Sequence, residues 1–464
     1  MQSLERIKER NMTVQVNDMT HGNPARQIFF FSLPLMLGNI LQQAYIMVDA
    51  MVVGKFIGVR ALAAIGAADW LNWMILSMVI GFCQGFSILV SHYFGAADDE
   101  GLRKAVAMSI ILAAAIAVFA TALFLPTAET MLVLMHTPVS ILKDSLSFLR
   151  IIFAGIIVTA AYNILSSILR ALGNSKTPLV AMAIASVINI ILDFVFVLGF
   201  HWGVAGAAAA TVTAQLFASC FCLHAVRNIA IIQLKPKDWI PDQNVIAQLI
   251  RLGTPMAFQN AIIGVGGVVV QYVINGFGVI FMAGFTAVMK LYGLLELAAT
   301  SFGFAVAAFT GQNLGAQKYE RIRRGMNAAL KMAIAIALLI SAVTLRFGCD
   351  IAGLFISGSP EDVHAVIEVA DNYLKIMGAL LFILYLLYMY RSALQGMGDT
   401  LIPMISGIVE LLMRVASVLL LPLLVGRDGV YFAEVIAWSG AVIVLMSAYY
   451  YRMHHLFRLE KGEA

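Results

Sequence analysis

Charge is scarce in this chain. Asp, Glu, Lys and Arg make up 12% of its 464 residues, while 61% are hydrophobic. A water-soluble domain carries roughly 25% charged residues, so this much apolar surface is solvated only by a lipid bilayer. The surplus of 30 basic over 26 acidic residues leaves +4, too little to draw nucleic acid. Cysteine is scarce as well. Cys83, Cys220, Cys222 and Cys349 lie in or beside apolar runs without metal-ligand spacing, and they read as small core residues. No Gly-x-x-x-x-Gly-Lys-[Ser/Thr] loop occurs, which excludes ATP as the direct driver. Histidines are scattered: His21, His92, His136, His201, His224, His364, His454 and His455 fall on helix ends, loops and termini. An enzyme would need them clustered at membrane depth, so no catalytic centre or cofactor is expected.

What the chain does hold is long apolar runs. A helix needs roughly 20 apolar residues to cross a bilayer, and twelve runs meet that length. They cover residues 28–53, 62–90, 104–125, 147–172, 177–200, 204–226, 247–275, 281–307, 325–346, 367–394, 402–424 and 430–451. We number them segments 1 to 12. Each must satisfy its own backbone hydrogen bonds in lipid, so all are predicted to be helices. Basic residues set the orientation. With the N-terminus inside, inner stretches hold about 20 Lys and Arg, and outer ends hold about six, namely Lys55, Arg60, Lys143, Arg150, Arg346 and Arg427. The reading is therefore a multi-pass cell-membrane protein with both termini cytoplasmic. Residues 1–27 form a cytoplasmic lead rather than a signal peptide, 28–226 an N-lobe, 227–246 a cytoplasmic linker, 247–451 a C-lobe, and 452–464 a cytoplasmic tail.

The two halves repeat. Phe94-Gly95-Ala96-x-x-x-Glu100-x-x-Arg103-Lys104 matches Leu314-Gly315-Ala316-x-x-x-Glu320-x-x-Arg323-Arg324 at an offset of 220. Ser167-x-Leu169-x-x-x-Gly173-Asn174 and Pro178 match Ser392-x-Leu394-x-x-x-Gly398-Asp399 and Pro403 at 225, and Pro34 and Asn39 match Pro255 and Asn260 at 221. The fold class is therefore all-α integral membrane, with twelve helices in two parallel six-helix repeats around a central cavity, an architecture of secondary transporters. Stretches 173–178 and 398–403 read as tight inner turns.

A few polar residues interrupt the runs. Asn189 and Asp193, four apart, share one face of segment 5. Gln42, Tyr45 and Asp49 form a polar stripe on segment 1. A carboxylate at that depth is a functional-site candidate. If Asp49 and Asp193 meet, a proton or a cation must sit between them. The C-terminal half lacks this set: Val269 or Val270 stands opposite Asp49, Val418 opposite Asp193, and Arg414 opposite Asn189. Glu410 and Arg414, four apart in segment 11, read as a structural pair. Asp69, Asn72, Gln259, Lys290, Glu296 and Tyr388 complete the candidates for a substrate cavity, with Lys290 and Arg414 as the deep cations. The abundance of Met and Phe, 24 and 28 residues, suits a pliable apolar surface for varied ligands.

The chain resembles the multidrug and toxic compound extrusion (MATE) family. The likeness rests on Leu33-Pro34-Leu35, Gln42-Gln43, Val48-Asp49 and Val53-Gly54 in segment 1. It extends to Gly95-Ala96, Gln312-Asn313-x-Gly315-Ala316, Leu169-Arg170-Ala171-Leu172-Gly173-Asn174 and Gln395-Gly396-Met397-Gly398-Asp399-Thr400. It covers nearly the whole chain from about residue 20 and is greatest toward the DinF-like bacterial and archaeal branch. That branch implies a cation site in the N-lobe, here Asp49, Asn189, Asp193 and Thr211. Ile46 and Ala50 depart from the Asn and Thr often found beside the first Asp. The resemblance implies H⁺- or Na⁺-coupled antiport of lipophilic, cationic small molecules, and a monomer is the default expectation. The alternative is a lipid-linked oligosaccharide flippase of the same superfamily, which would want an arginine-rich cavity.

Overall fold

The computed structural model describes residues 16–353 and 360–461. Residues 1–15 of the expected lead, residues 354–359, and residues 462–464 of the expected tail lie outside the described residues. Among those described, every regular element is a helix. Ten helices are long and apolar enough to cross a membrane, and twelve spans result when each of two bent pairs counts as one.

In chain order the helices are α1 (Pro24–Val52), α2 (Val59–Gly95), α3 (Asp99–Leu134), α4 (Val139–Ala154), α5 (Ile156–Ala171), α6 (Lys176–Asp193) and α7 (Gly203–Arg227). There follow α8 (Gln243–Asn275), α9 (Val279–Leu295), α10 (Leu297–Gly315), α11 (Tyr319–Gly353), α12 (Pro360–Ala379), α13 (Leu381–Gly396), α14 (Leu401–Val425) and α15 (Ala433–Lys461). The helices outrun the apolar runs that announce them. Segment 3 was expected at 104–125, but α3 starts at Asp99 because Asp98 caps it, its Oδ1 accepting from the Gly101 N–H at 2.9 Å. Segments 4 and 10 are not straight. Each is a pair of helices, α4–α5 bent by 47° at Gly155 and α12–α13 bent by 50° at Leu380.

The chain packs as two compact units. One comprises Leu33–Ala257 with Gly315–Gln317 and the described part of the first twenty residues. The other comprises Phe258–Leu314 and Lys318 onward, with His21–Ser32. Helix α1 therefore starts in the second unit and continues in the first, and Pro34, which offers no N–H to the preceding turn, lies just past the change.

The first unit holds two apolar cores. Phe86, Val90, Leu102, Leu169 and Leu249 anchor one; Ile75, Leu132, Leu149 and Phe153 anchor the other. Small residues bring its helices close. At Gly85 an added Cβ would lie 2.4 Å from the Gly253 Cα, so α2 and α8 cross backbone to backbone. The stretch between α7 and α8 is not a bare tether. Lys237 pairs with Glu100 at 2.8 Å, Lys104 with Asp242 at 2.7 Å and Arg103 with Asp238 at 3.6 Å, which fastens it to the start of α3. In the second unit aromatic rings stack in series: Phe285 on Tyr373 at 4.9 Å, Tyr373 on Tyr431 at 5.7 Å, and Phe281 on Tyr431 at 5.5 Å. Many large apolar side chains, including Phe30, Met51, Phe119 and Leu423, remain exposed, the surface that acyl chains solvate.

The repeat is visible in the backbone. Gly173 and Gly398 both take positive φ, 77° and 79°, where a β-carbon would clash. Each is followed by a capping side chain, Asn174 accepting from the Thr177 N–H at 2.9 Å and Asp399 from the Ile402 N–H at 3.2 Å. These are the tight turns that the sequence announces at 173–178 and 398–403. Ala97 and Gln317, 220 apart, share the left-handed conformation at 55° and 56°.

Candidate cation site and a buried ion network

Asp193 is the last residue of α6, and the chain widens there into a π-helical turn, Phe194–Gly199. A second such turn, Val53–Ile57, follows α1 four residues after Asp49. The two turns touch, with the Phe56 and Phe194 rings edge to face at 6.1 Å. Turns of this kind are frequent at functional positions.

Both Asp193 carboxylate oxygens and both Asn189 side-chain heteroatoms are buried, and none has a hydrogen-bond partner among the described residues. The two residues are 0% and 1% exposed. Asp49 Oδ1 is in the same condition. The Asp49 and Asp193 carboxyls face each other within hydrogen-bond reach, a contact that only a shared proton turns into a bond. Two like charges about 4 Å apart repel by about 4 kcal/mol at an effective dielectric near 20. Orphaned acceptors and mutual repulsion are both relieved by one monovalent cation or one proton. The donor set is three to four oxygens of carboxylate and amide type, which suits a hard cation.

Other predicted residues gather around this pair. Tyr45, one turn before Asp49, lies beside both carboxylates, the Gln42 side chain and Tyr162 of α5. Tyr162 is a neighbour that sequence reading missed, because a single Tyr in an apolar run carries no signal. Asp69 acts on Asp49 through its charge and is itself exposed. Asn72 buries an Oδ1 without a partner. Thr211 stands on α7, which packs along α6, and its hydroxyl donates to the Ala207 carbonyl at 3.1 Å, leaving lone pairs to accept. Arg170, a half-buried cation that the sequence reading did not single out for the site, donates to Ser166 at 2.9 Å and Ser167 at 2.7 Å.

The second unit is built differently. Val270 and Val418, the counterparts of Asp49 and Asp193, are buried and apolar. The Glu410–Arg414 pair is present, at 2.8 Å, but belongs to a larger network. Arg391 pairs with the other Glu410 oxygen at 2.8 Å, and Arg414 also reaches Glu434 at 2.8 Å. These four side chains are 6–13% exposed. Gly266 makes room for it: a Cβ there would stand 2.7 Å from Arg414 Nη1. Lys290 is exposed, whereas Arg391 and Arg414 are buried with carboxylates within reach, and Arg391 is a buried cation that the sequence reading did not single out. Gln259 is buried and accepts from Gln395 at 3.1 Å. Glu296 sits at the break between α9 and α10, accepting from the Tyr388 hydroxyl at 3.3 Å.

Comparison with known proteins bears on the fold and its repeat. The MatE family model matches residues 34–195 and again 255–419, one match per repeat. The probable multidrug resistance protein YpnP of Bacillus subtilis is 32% identical over 306 residues, 66% of this chain and 68% of that protein. The multidrug export protein MepA of Staphylococcus aureus is 21% identical over 426 residues, 92% of this chain and 93% of that one. A crystal structure of a MATE protein in a bent conformation superposes with a TM-score of 0.89 at 23% identity, covering 97% of this chain and 99% of that one. A MOP superfamily transporter from Pyrococcus furiosus gives 0.90 at 23%, covering 96% and 99%. A repeat matched twice by one model and a helical fold shared over nearly its full length converge on one assignment: this multi-pass membrane protein belongs to the MatE family of transporters.

Proposed function

We propose that the protein is a secondary active multidrug exporter of the DinF-like branch, driven by H⁺ or Na⁺ and moving lipophilic, cationic compounds out of the cell. It resides in the cell membrane as a monomer with both termini cytoplasmic, and its two six-helix lobes, 28–226 and 247–451, alternate access to the two sides. The names of relatives, multidrug resistance and multidrug export proteins, support the cargo class. One observation carries the coupling: the buried, unpartnered oxygens of Asp49, Asn189 and Asp193, which a cation entering from outside would satisfy, with Thr211 as a further ligand. Coupling requires that ion and drug prefer different conformations, since equal affinity for both shifts nothing. One charge moving through 100 mV releases about 2.3 kcal/mol, which sustains a drug gradient of about fiftyfold.

The test is dye efflux from proteoliposomes under an imposed Na⁺ gradient, then under a pH gradient, with Asp49→Asn and Asp193→Asn beside the wild type. Efflux driven by one gradient and lost in both variants is expected. Efflux that survives both substitutions would remove the site from the mechanism.

A further inference from the structure

The stretch between α7 and α8 has its polarity reversed. In the short turn Pro236–Trp239 the acidic residue lies inside and the apolar residues that follow it lie outside. Asp238 is 2% exposed; its carboxylate accepts the Lys235 N–H at 2.8 Å and pairs with Arg103 of α3 at 3.6 Å. Trp239 and Ile240, the next two residues, are 41% and 64% exposed. A turn that faces water carries the opposite order, with its carboxylate solvated and its large apolar side chains covered. The same stretch does fill the core elsewhere, since Ile229 and Ile232 are buried in an apolar core of the first unit.

The exposure is held in place. Arg103–Asp238 stands just before the pair and Lys104–Asp242 just after it, with Lys237–Glu100 as a third tie to the start of α3. Asp242 is fixed further by the Asn244 and Val245 N–H groups, which it accepts at 3.0 and 3.3 Å. Two residues pinned on both sides have little room to fold back onto the core.

The position of the turn names what covers it. It joins two helices of membrane-spanning length, α7 ending at Arg227 and α8 starting at Gln243, and it is tied to the first turn of a third, α3. It therefore lies at a bilayer–water interface. Trp is enriched at that level because its ring is apolar and its N–H polar. Along the chain the next exposed large apolar side chain is Ile250 on α8, which continues the surface toward the acyl chains. Arg227 and Lys235, both exposed, supply cations for lipid phosphates at the same level.

We propose that Trp239 and Ile240 seat in the headgroup–acyl boundary of the bilayer, so that the stretch between α7 and α8 is an interfacial anchor and not only a connection. Its three ties to α3 make it set the depth of that end of the first unit. A second copy of this chain is a poorer occupant, because two side chains fall well short of the roughly 800 Å² per partner that a stable protein interface buries. The inference does not depend on what the protein transports.

Tryptophan fluorescence of the full-length protein, one copy per lipid nanodisc, tests this. The signal is the difference between wild type and Trp239→Phe, in which Trp70, Trp73, Trp202 and Trp438 cancel. Phosphatidylcholine brominated on the acyl chain close to the headgroup is expected to lower that difference at least twofold, and aqueous iodide to leave most of it. Ile240→Trp, made in the wild type, gives an independent difference signal at the neighbouring position, and the same pattern is expected there. Quenching of both positions by iodide and not by bromolipid would put the pair in water. Quenching by neither would put it under protein. Either result overturns the proposal.

Discussion

Replacing Glu410 by Met exposes what the ion network does for the second unit. Glu410 is buried, and each of its oxygens holds one arginine at 2.8 Å, Oε1 to Arg414 and Oε2 to Arg391. Arg414 keeps Glu434 when Glu410 is gone. Arg391 keeps no acidic partner among the described residues, and its Nε already lacks an acceptor. The substitution therefore leaves one uncompensated buried charge, which costs about 3–5 kcal/mol. Removing that charge as well, in Glu410→Met with Arg391→Met, should restore about 2–3 kcal/mol, because a well-packed apolar pair of similar volume replaces a desolvated ionic one. The measurement is unfolding in mixed micelles across a denaturing-detergent series, run as a double-mutant cycle with wild type and both single variants. A double variant no more stable than Glu410→Met refutes the reasoning, since stability would then depend on something other than the stranded arginine.

Four further outcomes follow from the geometry. Gly85→Ala should lose about 1–3 kcal/mol in the same unfolding assay, because its new carbon meets the Gly253 backbone at 2.4 Å. Gly66→Ala, on the same helix with nothing within 4 Å, should be neutral or gain up to about 1 kcal/mol. Gly266→Ala should cost about 1–2 kcal/mol, because Arg414 stands 2.7 Å from the added carbon and is held in place by two carboxylates, and the cost should shrink when Glu434→Gln frees one side of Arg414. Asp242 accepts from Lys104 and from the Val245 and Asn244 N–H groups, which holds its carboxyl below the usual range. A depressed folded-state pKa contributes stability above the unfolded value and loses it only as pH falls through the lower one. Protease cutting within 230–242 should thus be unchanged from pH 7 to pH 5 and rise only below about pH 4; release near pH 6 would contradict the assignment.

The membrane class and the repeat were legible because both rest on local pattern. An apolar run of span length has few alternatives in lipid, and Gly173 and Gly398 mark turns that need positive φ. The bends at Gly155 and Leu380 were not legible, since each lies in an unbroken apolar run with no proline to announce it. The π-helical turns after Asp49 and Asp193 were invisible for the same reason: Val53–Ile57 and Phe194–Gly199 have the composition of ordinary helix. Asn189 and Asp193 were readable as a pair because four residues make one turn. Arg391 and Glu434 stood in the sequence as charges inside apolar runs, but which carboxylate an arginine meets depends on how α13, α14 and α15 pack, and spacing along the chain does not carry that.

The two halves keep their turns and part company in their buried polar groups, and the two facts have different causes. Gly58 and Gly278 take φ of 114° and 90°, and His201 and Gly426 take 56° and 73°, so each half reuses the same reversals of the chain. A reversal is a requirement of the backbone and survives any change in the helices it joins. A buried polar group answers only to its neighbours. In the second unit Arg391, Glu410, Arg414 and Glu434 pair their charges with one another, so taking up or releasing an ion among them would leave a charge stranded. In the first unit Asp49 Oδ1 and the polar atoms of Asn189 and Asp193 have no hydrogen-bond partner among the described residues, so the ion proposed there would come and go without breaking a hydrogen bond made by those atoms. A closed network holds a unit together, and an open one lets it respond. Introducing the second character into the first unit, with Asn189→Arg in place of its counterpart Arg414, should therefore fix the carboxylate pair by internal ion pairing. Protein that folds but no longer answers to either gradient in dye efflux is the expected outcome, and gradient-driven efflux that persists would mean that open acceptors at this position are not what couples the transporter.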